Sequence, residues 1–245
     1  MVGVILAAGD GKRLKNSSKE DYCKPLIKVN GKRLIEYSLD NLMKLDVKKA
    51  YIVVGKEGDL IQKSLGYSYN GIQIFYVVQS IQTGLMDAFV QAINIAGCEE
   101  TVILQLSDEI FYDLKIDEIK KLAESGANNF YCGVTYEDDT EKIKKNFSVD
   151  TDNKGIIKKC IEKPLCVVNN IKGTGFCIFG SDALKVLTNI NDTEINLLRD
   201  LCDYINYLLV KGKTGLALHI AEKEFNINTF ADLLEAQDYL DINLK

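Results

Sequence analysis

Residues 2–14 read "VGVILAAGDGKRL", and how this stretch is read decides the fold. Val2 to Ala7 is almost continuously apolar, with neither the alternation of a half-wet strand nor the length of a buried helix, which fits a strand covered on both faces. Gly9 and Gly11 follow at once. Glycines there let the chain turn sharply and bring backbone N–H groups close to an anion. Arg13 comes next, one of three arginines among the 30 basic residues, so surface charge is otherwise handled by lysine. A guanidinium placed directly after a glycine turn offers a rigid fork of donors suited to phosphate oxygens.

The strand texture recurs at 50–55 ("AYIVVG"), 72–78 ("IQIFYVV") and 101–106 ("TVILQL"). Between these runs, "RLIEYSLDNLMKL" puts Ile35, Leu39 and Leu42 on one helical face, and "GLMDAFVQAINIA" does the same with Leu85, Ala88, Phe89 and Ala92. Strands alternating with amphipathic helices predict a mostly parallel sheet with helices on both sides, whose ligands sit beyond the carboxyl ends of the strands. After residue 125 the texture changes to strands with hairpin-like connections, "TDNKG" being the clearest turn, and helices are expected again at 193–211 and 229–241. The 245 residues are expected to form one domain, with a nucleotide-binding half at about 1–125 and a smaller mixed half at about 126–245.

Composition narrows the function. With 35 acidic against 30 basic residues the net charge is −5, which argues against a general nucleic-acid binder and requires any polyanion to be caught by a local cluster of cations. Seven scattered cysteines without a C-x-x-C pair read as reduced thiols, and the first residues show neither a cationic leader nor a membrane-length apolar run, so a cytoplasmic protein with no membrane association is expected. "GDGKRL" fails as a dinucleotide fingerprint because Leu14 stands where the third glycine is needed. It fails as a P-loop because Arg13 stands where Ser or Thr would hold magnesium.

Further residues extend the reading. The two prolines, Pro25 and Pro164, each follow a lysine, Lys24 and Lys163; a residue before proline favours extended backbone, which would aim two ammonium groups at two phosphates. Asp108 in "LQLSDEIF" ends a buried strand, where it is well placed to hold Mg²⁺ bridging phosphates, although a turn or cap aspartate would look the same. The lone His219, within the strand-like "GLALHIAEK", reads as structural.

Together these residues resemble the sugar-1-phosphate nucleotidylyltransferases, or NDP-sugar pyrophosphorylases. The family opens with L-A-A-G-x-G-x-R-L, here Leu6 to Leu14, and continues with a P-K-x-L segment and G-K-x-x-I-E-Y, here "CKPLIKVNGKRLIEYSLDNL" with Cys23 in place of a proline. Gln79, Gly84 and Ala88 match a glutamine and G-x-x-x-A turn, and Glu162-Lys163-Pro164 match an E-K-P segment. The resemblance implies a three-layer α/β/α nucleotide-diphospho-sugar transferase fold, Rossmann-like, around a mixed, mostly parallel sheet. It implies an enzyme that joins an NTP to a sugar-1-phosphate and releases pyrophosphate by Mg²⁺-dependent in-line displacement. By that resemblance Leu6, Ala7, Ala8, Gly9 and Gly11 face the nucleotide and Gln79 and Gly84 read the base. Arg13 and Lys24 hold phosphates, Lys163 the sugar phosphate, and Glu162, Asn146 and Gly175 the sugar. Asp108 is a metal ligand, joined by Asn226 or Asn228 in place of the family's usual second aspartate. A homo-oligomer is compatible with this reading.

Two positions depart from the family on the sugar side: Phe147 replaces a glycine and is expected to fill part of the sugar pocket, and Cys177 replaces a tyrosine. Gln79 favours UTP or dTTP, since an amide can pair with both a donor and an acceptor of a uracil-type edge. The alternatives are a cytidylyltransferase using CTP with a non-sugar phospho- or phosphono-acceptor, and a catalytically inactive nucleotide-sugar sensor. A dehydrogenase is disfavoured by the missing third glycine and ribose acid.

Overall fold

The structure, a computed structural model, describes residues 1–9, 11, 14, 23–81, 84–125, 129–195 and 197–243; Arg13 lies outside them. In chain order come β1 (Val2–Ala7), a 3-10 turn at Lys24–Leu26, β2 (Lys28–Val29), β3 (Lys32–Arg33), α1 (Leu34–Lys44), β4 (Lys49–Val54), α2 (Gly58–Leu65), β5 (Ser68–Tyr69), β6 (Ile72–Val78), α3 (Leu85–Ala96), β7 (Val102–Leu106) and β8 (Glu109–Tyr112). Then follow α4 (Ile116–Ser125), β9 (Phe130–Tyr136), α5 (Thr140–Lys145), β10 (Phe147–Thr151), β11 (Ile157–Glu162), β12 (Ile171–Phe179), α6 (Ser181–Thr188) and α7 (Asp192–Ile195). The chain closes with α8 (Leu201–Val210), β13 (Gly215–His219), β14 (Lys223–Asn226) and α9 (Phe230–Asn243).

A ten-stranded sheet runs in the order β11-β10-β12-β7-β1-β4-β6-β5, with β9 on β12 and β13 on β9. The predicted parallel part is there: β1 pairs in parallel with β4 and β7, and β4 with β6. All six residues of β1 are buried. Its alternate side chains feed two cores, as a period-two strand must. Val4, Leu6 and then Ala8 join Phe89 of α3 and Tyr204 of α8, while Ile5 and Ala7 join Ile35, Leu39 and Leu42 of α1 on the opposite face. Each of the Val, Leu, Ile and Phe side chains among them contributes about 1.5–3 kcal/mol by leaving water. This is the three-layer arrangement expected. A third core, with Leu14, Ile110, Phe225, Ile227 and Leu240, packs α9 onto the separate β8–β14 ribbon. Among the described residues no helix is long and apolar enough to cross a membrane.

Two sequence expectations change. The helix expected over 193–211 is two helices, because Asp200 takes extended backbone and its carboxylate accepts from the N–H of Asp203, starting α8 afresh. Neither lysine before a proline is extended. Lys24 opens the 3-10 turn, and Lys163 has φ +43°, held there by its N–H donating to the Asn146 carbonyl at 2.7 Å.

The sugar-side substitution Phe147 also has a structural partner. Its ring is buried in the core and lies across Gly173, its register partner on β12; a Cβ at Gly173 would stand 1.8 Å from Phe147 Cε2. The phenylalanine thus fills the space that a glycine opposite it leaves. Gly173→Ala should destabilise the protein by about 2–4 kcal/mol through overpacking against this ring. Phe147→Ala should relieve that clash, so in denaturant titrations the double variant should lose clearly less than the sum of the two single losses.

Candidate active site

A cleft of about 510 Å³ opens at the carboxyl ends of the parallel strands, within the range of small-molecule sites. Leu6, Ala8, Gly9 and Gly11 line one wall, Gln79, Gly84, Leu85 and Ala88 another, and Lys24, Pro25, Leu106, Ser107, Asp108 and Asn228 the rest. Most residues assigned from sequence to the nucleotide therefore meet in one place. Ala7 is the exception, since strand alternation turns its side chain into the core beneath α1. Sequence reading missed Leu106 and Ser107 as walls and placed Leu85 only on the apolar face of a helix, whereas Ala88 already belonged to the glutamine and G-x-x-x-A match; the strand-end position of Leu106 and Ser107 was the available signal.

Glycine at two positions is geometric. Gly11 has φ +57°, and a Cβ there would lie 3.0 Å from Lys24 Cβ, so the lysine stem passes directly against the loop. Gly84 has φ +146° and caps α3, where a Cβ would meet the Arg199 carbonyl at 3.2 Å. Gln79, almost fully buried, donates its amide hydrogens to the Gly84 carbonyl at 3.1 Å and to Asp87 Oδ2 at 2.7 Å. Two acceptors fix the orientation of that amide, so its donor side is already spent.

Lys24 Nζ lies 2.5 Å from Asp108 Oδ2 and 3.2 Å from Asn228 Oδ1. The backbone brings these together: the N–H of Ile227 donates to the Asp108 carbonyl at 2.9 Å, and Asn226 is the register partner of Glu109. Asn228 then donates through Nδ2 to Asn226 Oδ1 at 2.6 Å, and Asn226 through Nδ2 to Asn146 Oδ1 at 2.9 Å. Of the two asparagines left open by sequence, it is Asn228 whose oxygen faces Asp108 and lines the cleft; the oxygen of Asn226 is occupied by Asn228. Among the described residues no group of three or more His, Cys, Asp or Glu side chains could hold a metal. One carboxylate and one amide oxygen around a cationic position nevertheless suit Mg²⁺, a hard ion that takes few protein ligands and completes its shell with phosphate and water.

The sugar-side residues lie outside the cleft lining but are tied to it. Asn146, at the far end of the asparagine chain, accepts the N–H of Lys163 on its own carbonyl. The Lys163 ammonium, largely exposed, sits 3.3 Å from Glu162 Oε1. Burial pushes the Glu162 carboxyl above its usual range, with Asp200 adding to the push and Lys163 opposing it. Gly175 spends its N–H on Glu109, at 2.9 Å to each carboxylate oxygen, and a Cβ there would collide with Leu106. The reason lies in β12, which pairs with β10 at Lys172 and Gly173 and with β7 only from Cys177, leaving Gly175 without a ladder partner on that edge. Glu109 fills the gap. His219 packs at a tilt against Tyr136 and contacts Lys115 Nζ, away from the cleft lining, in keeping with a structural residue.

Glu109 belongs to a buried group that no motif announced. Glu224 Oε2 pairs with Lys172 Nζ at 2.5 Å, both side chains being under 5% exposed, and Glu224 Oε1 has no partner. Burial raises the carboxyls of Glu109 and Glu224 above the usual range, and each is pushed further by nearby negative charge. Two carboxylates facing one ammonium leave one proton's worth of charge unbalanced, which favours Glu109 neutral.

The fold is shared with solved nucleotide-sugar enzymes. A protein from Bacillus anthracis assigned as a glucose-1-phosphate thymidylyltransferase superposes with a TM-score of 0.86 at 21% identity, over 98% of this chain and 95% of its own. A UDP-glucose pyrophosphorylase complexed with UDP-glucose superposes with a TM-score of 0.81 at 18% identity, over 98% of both chains. The nucleotidyl transferase family model matches residues 2–243, and the chain belongs to that family. A relative from Haloferax volcanii named UTP–glucose-1-phosphate uridylyltransferase AglF is 29% identical over 245 residues, covering 98% of this chain and 96% of its own. The bifunctional protein GlmU of Clostridioides difficile is 24% identical; 97% of this chain aligns but spans 51% of that longer protein.

The buried acid pair makes stability pH-dependent with a defined sign. A carboxyl raised in the folded state keeps its proton there while the unfolded chain loses it near the ordinary value of 4.5, so stability falls as pH rises above that value. Glu109→Gln keeps an acceptor for Gly175 and removes the titrating group. The variant should match the wild type in thermal unfolding near pH 4.5 and gain on it as pH rises above that value; a gap independent of pH would show that Glu109 is not held protonated.

Proposed function

We propose that the chain transfers a nucleotidyl group from UTP or dTTP to a hexose-1-phosphate, giving an NDP-sugar and pyrophosphate. The carrying observation is the convergence of the strand-end glycine loop, Lys24, Asp108 and Asn228 on one cleft. The relatives' named activities support the substrate class. Leu6, Ala8 and Gly9 provide a wall for base and ribose. With the hydrogens of Gln79 spent on Asp87 and Gly84, its carbonyl oxygen is what remains for a base; it accepts from the N3–H of uracil or thymine and equally from the N4 amino group of cytosine. The preference for UTP or dTTP over CTP rests on the relatives' named activities.

The backbone at Gly9 and Gly11 approaches the triphosphate, with Lys24 beside it and Arg13 assigned there from sequence alone. Asp108 and Asn228 would hold Mg²⁺, which when bound neutralises charge on the phosphates as pyrophosphate leaves. Lys163 and Glu162 hold the sugar phosphate and its hydroxyls, so that a phosphate oxygen faces the α-phosphorus in line with the departing pyrophosphate. No protein nucleophile is required; positioning and charge neutralisation carry the rate.

Pyrophosphate release from each NTP against a panel of phosphorylated acceptors tests this. UTP or dTTP with a hexose-1-phosphate should turn over fastest. Asp108→Asn should lower kcat by about 10²–10³-fold, and Lys163→Ala should raise the acceptor KM while leaving the NTP KM nearly unchanged. Tight nucleotide binding with no pyrophosphate from any pair would identify a sensor instead, and preferred turnover of CTP with a non-sugar acceptor would overturn the substrate assignment.

A further inference from the structure

We propose that Lys24 is a built-in competitor of the divalent cation: its ammonium holds the cation's position on Asp108 and Asn228, and a triphosphate, by drawing that ammonium away, opens the metal site. The inference rests on the assignment of Asp108 and Asn228 as metal ligands made above, and adds a linkage between metal and nucleotide that this assignment does not require.

Three observations carry it. The Lys24 ammonium touches both oxygens assigned to the metal, 2.5 Å from Asp108 Oδ2 and 3.2 Å from Asn228 Oδ1. A cation bound to both oxygens would lie against that ammonium, so the two positive charges exclude one another. Second, Asn228 cannot turn its oxygen away without losing the 2.6 Å bond from its Nδ2 to Asn226, so the acceptor pair is fixed whichever cation takes it. Third, the root of Lys24 is pinned. Its side chain is 11% exposed, its Cβ lies against Gly11 and Pro25 beside it is buried, so only the outer part of the side chain has room to swing. Gly9 and Gly11, where the phosphates are placed, line the same cleft, which sets the other end of that swing.

Charge gives the sign. Lys24 and Asp108 are the charged side chains among the described residues of the lining. While they pair, the cleft presents no net negative charge to a divalent ion. Phosphates that take the ammonium restore a free carboxylate and bring oxygens of their own. Nucleotide and metal must then strengthen each other's binding by the same factor, because the coupling is reciprocal.

Mn²⁺ binding to nucleotide-free protein, followed by the loss of the free-ion paramagnetic resonance signal, tests the competition without any turnover. Lys24→Met should bind Mn²⁺ about tenfold more tightly than the wild type or better, the size of effect an adjacent like charge has on an ionic equilibrium. Lys24→Arg, which keeps the charge, should stay near the wild type, and Asp108→Asn should fall to background. Lys24→Gln serves in place of the methionine variant if that chain does not fold, with the same expectation. Equal affinity in wild type and Lys24→Met, with Asp108→Asn at background, overturns the competition and leaves the metal assignment standing. No binding above the Asp108→Asn background in any variant overturns both.

Discussion

The site depends on one antiparallel pairing. The β8–β14 ribbon sets Asn226 opposite Glu109, and the bond from Ile227 N–H to the Asp108 carbonyl locks the register. Through it a segment from the end of the chain delivers Asn228 to an aspartate at the mouth of β7, beside a lysine from the beginning. Slipping the ribbon by one residue would turn Asn226 and Asn228 together to the opposite face. The Asn228 oxygen would then leave Asp108, and Phe225 and Ile227 would leave the core they share with α9. Stability and chemistry therefore rest on the same register, which is why the ribbon is packed by a helix rather than left at the edge.

A net-acidic chain solves the problem of holding phosphates by placement rather than by excess charge. Lys24 is rooted in a 3-10 turn whose proline is buried, and its stem runs against a glycine, so its ammonium has few other destinations. The buried group behind it works the opposite way. Lys172 and Glu224 are paired out of water, and Glu109 turns its carboxyl oxygens to a backbone N–H that the broken edge of β12 leaves over. A buried pair of this kind is weak as a source of stability. Its effect here is to let a central strand change partners, from β10 to β7, at the point where the cleft must open.

Much of this was legible in the sequence. The parallel strands 72–78 and 2–7 appear with the ends read from it, but only 2–7 is covered on both faces as a continuous apolar run implies; along 72–78 Gln73 and Val78 are exposed. The glycine loop, Gln79, Gly84, Lys24 and Asp108 share a cleft because residue type and strand-end position are both local properties. What was not legible is what depends on pairing between distant segments. Nothing in "FNINTF" tells which asparagine faces the cleft; the register with Glu109 does. Nothing in Glu109, Lys172 and Glu224 taken singly announces a buried cluster. The rule that a residue before proline is extended failed at Lys163 because a tertiary bond to Asn146 outweighs a local preference of about 1–2 kcal/mol.

Lys163 shows how the two halves of the cleft are joined. Its left-handed backbone is costly for a residue with a Cβ, and such strain persists where surrounding bonds over-determine it. Here the restraint is the Asn146 carbonyl, and Asn146 is itself held by Asn226 and by its own Nδ2 on the Lys142 carbonyl. Each amide in the series Asn228, Asn226, Asn146 donates to the next and the series ends on the Lys142 carbonyl; the E-K-P turn joins it from the other side, through the Lys163 N–H donating to the Asn146 carbonyl. The three neutral amides do what a second aspartate beside Asp108 would not: they carry orientation across the cleft while adding no charge that a buried carboxylate network would have to balance.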